Sequence, residues 1–509
     1  MDGAVGVAER AGVDTGFVDR LFAARVTEVE SAAFARQPVE VIAFTLLAIQ
    51  ARLGEAKPAA GPNTPSGAVP PYEKPAAQAK TRGRKRGGRN GHPGSRRASP
   101  VTADRTRHQR LDHCPDCGTK LRPTGETRER ISEDIPENLK PVVTKDILHR
   151  DYCPQCRKRV EPKPPDLLPR CTLGNRTLVF SGLLHFSQGL TISQIVDTFN
   201  FHLRLKITPG GLVQMWHRLG EVLRPWYEEI HEHCLEGAKL HADETGWRVA
   251  GETQWLWCFA NDHTAYYMID RSRGSPALQK FFTRYFDGTL ITDFWSPYDA
   301  IACADQQKCW PHLLRDAASV DEKSSGDLEW SSFCRRLVGV YRDAKKLHVR
   351  RPSTCANAAG TACANPVGTA CVHPAAAAQL SAEHYELSIH RLEARLIQLG
   401  TESWTHPDAQ RLSKRLLKYS EQLLTFLRYD NVTSDNNPGE RAIRPAVMIR
   451  KTSYANQSQQ GATTQSILMT IFRTLRLRGQ QPIDTLLAAL ATYNQAARLP
   501  PFPETPSDG

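Results

Sequence analysis

The chain has 509 residues and a formal net charge of +12. That length is too great for one hydrophobic core and predicts several domains. The longest apolar run, Val41–Ile49, is too short to span a bilayer, and no charged-then-apolar leader opens the chain, which argues against a membrane or exported protein. A cytoplasmic protein is expected, in which the thirteen cysteines are thiols and not a disulfide framework.

Residues 1–56 read as helical. Val39, Ile42, Leu46, Ile49 and Leu53 follow a 3-4-3-4 spacing, which suits either a short coiled-coil seam or a helix packing on its neighbours. Residues 57–105 read as a linker. The stretch Lys57–Ala77 contains six prolines, and Lys80–Arg97 contains eight Lys or Arg and no acid. A basic run this dense favours a polyanion, with Arg82, Arg84, Lys85, Arg86 and Arg89 as phosphate contacts, although a solvated tail has the same composition.

In residues 106–165, HCPDCG (His113–Gly118) and YCPQCR (Tyr152–Arg157) are two Cys-x-x-Cys pairs separated by 35 residues. Cys114, Cys117, Cys153 and Cys156 would give four thiolates to one structural zinc ion, closing a tetrahedral site in a segment too polar for its own core. Residues 170–236 are helical in pattern. There, LTISQIVDTFN and ITPGGLVQMWHRLGEVLRPW suit either plain packing or a helix-turn-helix, with the second helix opening near Thr208.

Residues 237–320 change period. AKLHADETGWRVAG, TQWLWCFAND and TAYYMIDRS read as three strands, SPALQKFFTRYF as a helix and GTLITDFWSPYDA as a fourth strand. This order predicts an α+β architecture with a mixed sheet. Residues 321–430 read as a helical block, in which Leu412, Leu416, Leu423 and Leu427 mark a core face. Cys355, Cys363 and Cys371 repeat every eight residues within that block, without paired knuckles, and read as a solvated loop. Residues 431–480 return to the sheet region, and residues 481–509 form a last helix and tail.

Three acids stand out. Asp243 lies inside the first strand, Asp293 ends the fourth, and Glu440 opens a helix after SDNNPG. A carboxylate in an apolar strand is costly unless it meets a cation or is fully hydrogen-bonded. Oxygen ligands of this kind suit two magnesium ions, which promote phosphodiester displacement without a nucleophilic side chain. Taken singly, a strand-end Asp also caps turns and a first-turn Glu also favours the helix dipole. Alternation puts Asp243 and Glu244 on opposite faces of the strand. Asp435 suits a turn. Cys309 and His312 mimic half a zinc site but lack a second pair nearby. From Arg441 to Gln480 there are seven Lys or Arg and no acid, which suits a DNA-facing surface or a solvated basic helix.

HADETGWRV, TDFWSPYDA, CWPHLLRD and SDNNPGERAIRPAVMIRKTSYANQSQQGA, together with GGRNGHPG, the double Cys-x-x-Cys and LRLRGQQPIDTLLAAL, span about residue 80 to 495. This series resembles insertion-sequence-66-type transposases. The resemblance implies a DDE transposase with a ribonuclease H-like catalytic core, a zinc-finger region ahead of it, and a helical insertion before the last acid. By motif it makes Asp243, Asp293 and Glu440 the ligands of Mg2+ (or Mn2+). His312 and Arg315 become contacts to DNA phosphate or the scissile group, and Arg441, Arg444, Arg450 and Lys451 become DNA contacts. It further implies a nucleoid-associated homo-oligomer on double-stranded DNA. Terminal inverted repeats would be bound through the ribbon, basic linker and helical region, cleaved, and joined to target DNA, with accessory proteins of the same element as further partners. Two alternatives share these residues: a domesticated DNA-binding protein without chemistry, and a ribonuclease H-like nuclease that cuts without joining.

Overall fold

A computed structural model of the chain describes residues 106–124, 139–321, 326–352 and 380–504, with a few single positions beside them. The basic run with Arg82, Arg84, Lys85, Arg86 and Arg89, the cysteine octad repeat, and the amino-terminal seam apart from Ile42 lie outside the described residues. The chain divides into two units. One holds the described part of Pro70–Leu223 together with Gln481–Pro501, and the other holds Arg224–Gln480 and the described start of Phe502–Gly509. The division falls inside one long helix, ahead of the boundary at Glu236 that the change of period suggests. No helix among the described residues is long and apolar enough to cross a membrane.

In the first unit, strands β1 (Asp151–Cys153) and β2 (Lys158–Val160) form a small antiparallel hairpin around the second Cys-x-x-Cys pair. Helices α1 (Asn175–Gly182) and α2 (Ile192–Asp197) follow, each running into a π-helical turn, and then α3 (Pro209–Leu235). Thr191 and Gln194 close a reciprocal capping box that starts α2. Thr208 Oγ1 accepts from Gly211 N at 3.2 Å, so the second helix does open at Thr208. Leu178, Ile195, Phe199, Leu212, Trp216 and Leu219 bury the facing sides of these helices. Trp216 also donates to Ser181 Oγ at 3.0 Å, which satisfies the one polar atom its ring carries into the core. The late helix α11 (Pro482–Ala496) packs on α1. Its buried Asn494 donates to the carbonyls of Pro164, Pro165 and Leu167, joining the end of the chain to the segment before α1.

The second unit is built on a five-stranded sheet. Its strands are β3 (Lys239–Val249), β4 (Glu252–Ala260), β5 (Ala265–Asp270), β6 (Phe286–Thr292) and β7 (Cys303–Lys308), in the order β5-β4-β3-β6-β7. β3, β4 and β5 are antiparallel neighbours, and β6 and β7 continue parallel to β3. Ala250 and Gly251, both at positive φ, make the two-residue turn between β3 and β4. Helix α4 (Ser275–Phe281) carries the chain from β5 to β6. It stops short of the predicted Phe286, because Phe282 leaves the helical region and Phe286 already pairs in β6.

The sequence pattern did not reveal β7. Its residues Gln306, Gln307 and Lys308 are buried yet polar. The segment that returns over the strand meets part of them: Gln307 Oε1 accepts from Phe426 N at 2.7 Å, and Thr425 Oγ1 donates to Gln306 O at 2.7 Å, while the Gln306 side chain donates to Tyr298 O at 3.0 Å. The helical block comprises α5 (Trp310–Asp321), α6 (Leu328–Val349), α7 (Ala382–Thr401) and α8 (Pro407–Tyr419) around one hydrophobic core. Helix α8 breaks after Tyr419, earlier than its leucine spacing suggests, but Leu412, Leu416, Leu423 and Leu427 are all buried. An ion cluster ties α8 to α5. Asp316, its side chain 3% exposed, accepts from Arg411 at 2.8 and 3.0 Å and from Arg415 at 2.7 Å. Helices α9 (Asn437–Ser453) and α10 (Gln459–Leu477) then pack on the antiparallel side of the sheet. Thr470 and Thr474 of α10 accept from the edge-strand amides of Tyr267 and Ala265, at 2.9 and 3.2 Å.

Candidate active site

The register of the sheet brings two of the three acids together. Lys239, Leu240 and His241 of β3 pair with Thr289, Leu290 and Ile291 of β6. The same offset of 50 residues, carried two positions further, sets Asp243 against Asp293, which follows the last residue of β6. Asp243 sits midway along β3, and its carboxyl is pushed well above the usual carboxylate range. Burial is the main cause, followed by the charges of Glu244, Asp293 and Glu440. The other three acids therefore bear on Asp243. Asp293 is oriented by its own turn, where Oδ1 accepts from Trp295 N at 2.8 Å.

Glu440 arrives from far along the chain through Asn436, which is 1% exposed. The Asn436 amide donates to the Ala242 carbonyl at 2.8 Å, and its Oδ1 lies 3.0 Å from His241 Nδ1. Both partners flank Asp243 in β3. The Asn436 backbone N–H points to Cys309 Sγ at 3.1 Å, and Trp310 N donates to Ser434 O at 3.0 Å, so the start of α5 holds the same turn. Asn437 N donates to Asp435 Oδ1 at 3.1 Å, the Asx turn expected of that residue. Glu440 N then donates to Asn436 O, and the first turn of α9 is set. Gly439 is required here, since a Cβ at that position would lie 2.7 Å from Asn436 Oδ1.

Glu244 is occupied elsewhere. Its Oε1 accepts from Arg273 at 3.2 and 3.0 Å, and its Oε2 accepts from the Tyr298 hydroxyl at 2.6 Å. The Arg273 guanidinium lies between the rings of Trp255 and Trp295, at 4.7 and 3.9 Å. Burial and the charge of Asp293 push Glu244 up to about 7, against the pull of Tyr298 and Arg273. Between the two rivals on β3, Asp243 is thus the one whose carboxyl faces the other acids without a fixed cationic partner. Behind Asp293, the fully buried Lys308 contacts Thr292 Oγ1 at 3.2 Å and pairs with Asp299 at 3.0 Å. Arg273, Tyr298, Lys308 and Asn436 were not singled out by sequence reasoning. Only the density of polar residues in SDNNPGE hinted at the last of them.

The basic candidates separate by placement. Arg315 Nη2 donates to Glu440 Oε1 at 2.8 Å, with His312 Nε2 3.7 Å from the same oxygen. Arg441, Arg444 and Lys451 are exposed along α9. Arg450 is half-buried instead and donates to Thr245 Oγ1 at 2.8 Å and to the Gly246 carbonyl, so it seats α9 on β3. Burial pushes the Cys309 thiol up to about 12, which suits a core residue and not a ligand.

In the other unit, the two Cys-x-x-Cys pairs fold as matched knuckles. In each, the residue after the second cysteine takes a positive φ, Gly118 at 72° and Arg157 at 52°. Hydrogen bonding to Thr119 holds the Cys117 thiol below its usual range, and the Cys156 amide does the same for Cys153. Among the described residues, no three His, Cys, Asp or Glu side chains stand close enough together to hold one metal ion.

Residues 170–464 match the family described as Transposase IS66 family, a span that takes in Asp243, Asp293, His312, Arg315 and Glu440. Two similar chains come from Sinorhizobium fredii, both named as uncharacterized proteins. One, y4qI, is 22% identical over 402 residues, covering 73% of this chain and 69% of its own length. The other, y4jD, is 21% identical over 432 residues, covering 76% and 77% respectively. The family match extends over more than half of the chain and across every element that carries the acid cluster. The chain belongs to the IS66 family of transposases.

Proposed function

We propose that the chain is a DDE-type DNA transposase that cleaves the ends of its element and joins them to target DNA through Asp243, Asp293 and Glu440. The observation that carries this reading is the shared frame of the three acids. Strand register sets Asp243 against Asp293, and Asn436 hangs the helix of Glu440 from the residues beside Asp243. We read the sheet, with three antiparallel strands continued by two parallel ones, as a ribonuclease H-like core.

The donor chemistry suits a hard divalent cation such as Mg2+ or Mn2+: it is all oxygen, and burial, with the charges of the neighbouring acids, raises Asp243; the three carboxylates would have to close up to hold one ion together. Two such ions, when bound, supply an activated water or 3′ hydroxyl and stabilise the departing oxygen. The chain's own residues do the rest. Asn436 and the Asp435 turn fix where Glu440 stands, and Trp295 N orients Asp293. Glu244, held by Arg273 and Tyr298, stiffens β3 behind Asp243. Arg315, paired with Glu440 at 2.8 Å, would meet the phosphate of an incoming strand. Arg441, Arg444 and Lys451 take duplex phosphates, which makes binding fall steeply with salt. Each knuckle presents two thiols on a matched turn, which is half of a zinc site; the two pairs stand apart here, and we assign Cys114, Cys117, Cys153 and Cys156 to one structural ion that would draw them together and prepare the first unit for DNA. Action as a homo-oligomer on DNA, with or without accessory proteins of the same element, belongs to this proposal.

The test is incubation of the full chain with labelled element ends and Mg2+, beside Asp293→Ala. Cleavage followed by joining in the wild type alone supports the transposase. Cleavage without joining supports a nuclease. Equal DNA binding with no cleavage by either protein removes the enzymatic reading and leaves a DNA-binding protein.

A further inference from the structure

Tyr454 stands on the loop between α9 and α10, 81% exposed. Its backbone is far from slack. Tyr454 ends α9 in the left-handed region at φ 54°, and Ala455 follows at φ 71°, conformations that side chains other than Gly and Asn seldom adopt. The next residue braces both. Asn456 N donates to Arg248 O at 3.1 Å, Asn456 O accepts from Ala250 N at 3.0 Å, and its Oδ1 accepts from Trp247 Nε1 at 2.8 Å. Tyr454 N itself donates to Arg450 O. The sheet therefore holds an aromatic ring out in solvent on a strained but anchored backbone.

The surroundings have one character. Arg441, Arg444, Met448 and Lys451, at spacings of three and four, make the exposed face of α9 that leads to Tyr454. Gln457, Gln459 and Gln460 beyond it are exposed amides. No acid occurs from Arg441 to Gln480. Cations in a row suit a phosphodiester backbone, and a single exposed ring suits the face of a base. In a duplex interior neighbouring bases cover those faces, whereas an unpaired base offers one freely, and amides can then reach its edges.

We propose that Tyr454 is a stacking platform for an unpaired nucleotide at a DNA end, with the adjoining phosphates along Lys451, Arg444 and Arg441. This rests on the DNA-facing assignment of α9 above. The ring adds discrimination between frayed or single-stranded ends and blunt ones, which cations alone do not supply.

The experiment uses the full chain and two fluorescent DNA probes of one sequence: a blunt duplex, and the same duplex with a three-nucleotide overhang carrying 2-aminopurine. Wild type and Tyr454→Phe should bind the overhang probe roughly fivefold to a hundredfold more tightly than the blunt probe and quench its fluorescence. In Tyr454→Ala the ratio of the two affinities should fall toward one and the quenching should vanish. Tyr454→Asn, which tolerates the left-handed backbone, should behave like the alanine variant and so separates loss of the ring from loss of the loop. An undiminished overhang preference in both ring-less variants overturns the proposal while leaving α9 as a duplex contact. Failure of the wild type to bind either probe overturns both the stacking proposal and the DNA-facing assignment.

Discussion

Asn436→Ala is the most informative perturbation of the acid cluster, because the side chain it removes touches none of the acids. The substitution removes the partner of two buried groups, the Ala242 carbonyl and His241 Nδ1, in contacts of 2.8 and 3.0 Å. A buried polar group left without its partner costs about 1–3 kcal/mol, so the pair amounts to roughly 2–6 kcal/mol. For a unit of this size each kcal/mol lowers the melting temperature by about 2–4 °C, which gives a fall of roughly 4–24 °C. Function should suffer more than stability at temperatures where the variant is folded. Glu440 N donates to Asn436 O, so slack in this turn moves the first turn of α9 away from Asp243. A displacement of about 1 Å commonly costs on the order of 100-fold in rate. Thermal unfolding followed by circular dichroism, together with Mg2+-dependent cleavage well below the melting temperature, measures both quantities. A variant that melts within about 2 °C of wild type and cleaves at the wild-type rate would refute the role given to Asn436.

Two further predictions concern parts of the chain away from the acids. Burial alone would raise the Asp316 carboxyl, but hydrogen bonds and charge from Arg411 and Arg415 hold it below the usual range. A depressed carboxylate stabilises the fold above its unfolded value and loses that contribution as the pH falls through its folded value. Asp316→Asn should therefore cost about 2–3 kcal/mol at neutral pH, discounted for the exposure of Arg411, with a gap to wild type that narrows in acid. Denaturant titrations from pH 7 downward test this, and a gap that stays constant with pH contradicts it. For the knuckles, the purified full chain should carry about one zinc ion, and Cys114→Ser should lose most of it. Retention of zinc by that variant, measured by mass spectrometry, would sink the four-thiolate assignment.

The strands that carry Asp243 and Asp293 were legible because they are aromatic and β-branched, and an acid inside such a run is conspicuous. Strand β7 was not legible, because its polar residues find partners only in the fold: Lys308 and Gln306 meet Thr292, Asp299 and Tyr298, and Gln307 meets a segment more than a hundred residues later. The same distance hid much of the site. The contact between His241 and Asn436 joins residues 195 apart, and nothing local separates Asn436 from its polar neighbours. Arg273 reads as a turn residue in SRG until Glu244, Trp255 and Trp295 are seen around it. Arg450 reads as one more cation of a basic helix, and only its contacts with Thr245 and Gly246 show that it points inward. Periodicity reports which face of an element is buried, but it does not report what a buried polar atom meets.

The route by which Glu440 reaches the sheet bears on how the protein is made. Asp243 and Asp293 leave the ribosome early, on strands that pair with each other directly. The third acid follows nearly 150 residues later, and its turn is clamped by Cys309 and Trp310 at the start of the helical block. A nascent chain or a product truncated before Asn436 has the first two acids but not the third. If the three act together as proposed, a chain has no complete set of acids until the segment around Asn436 has been made.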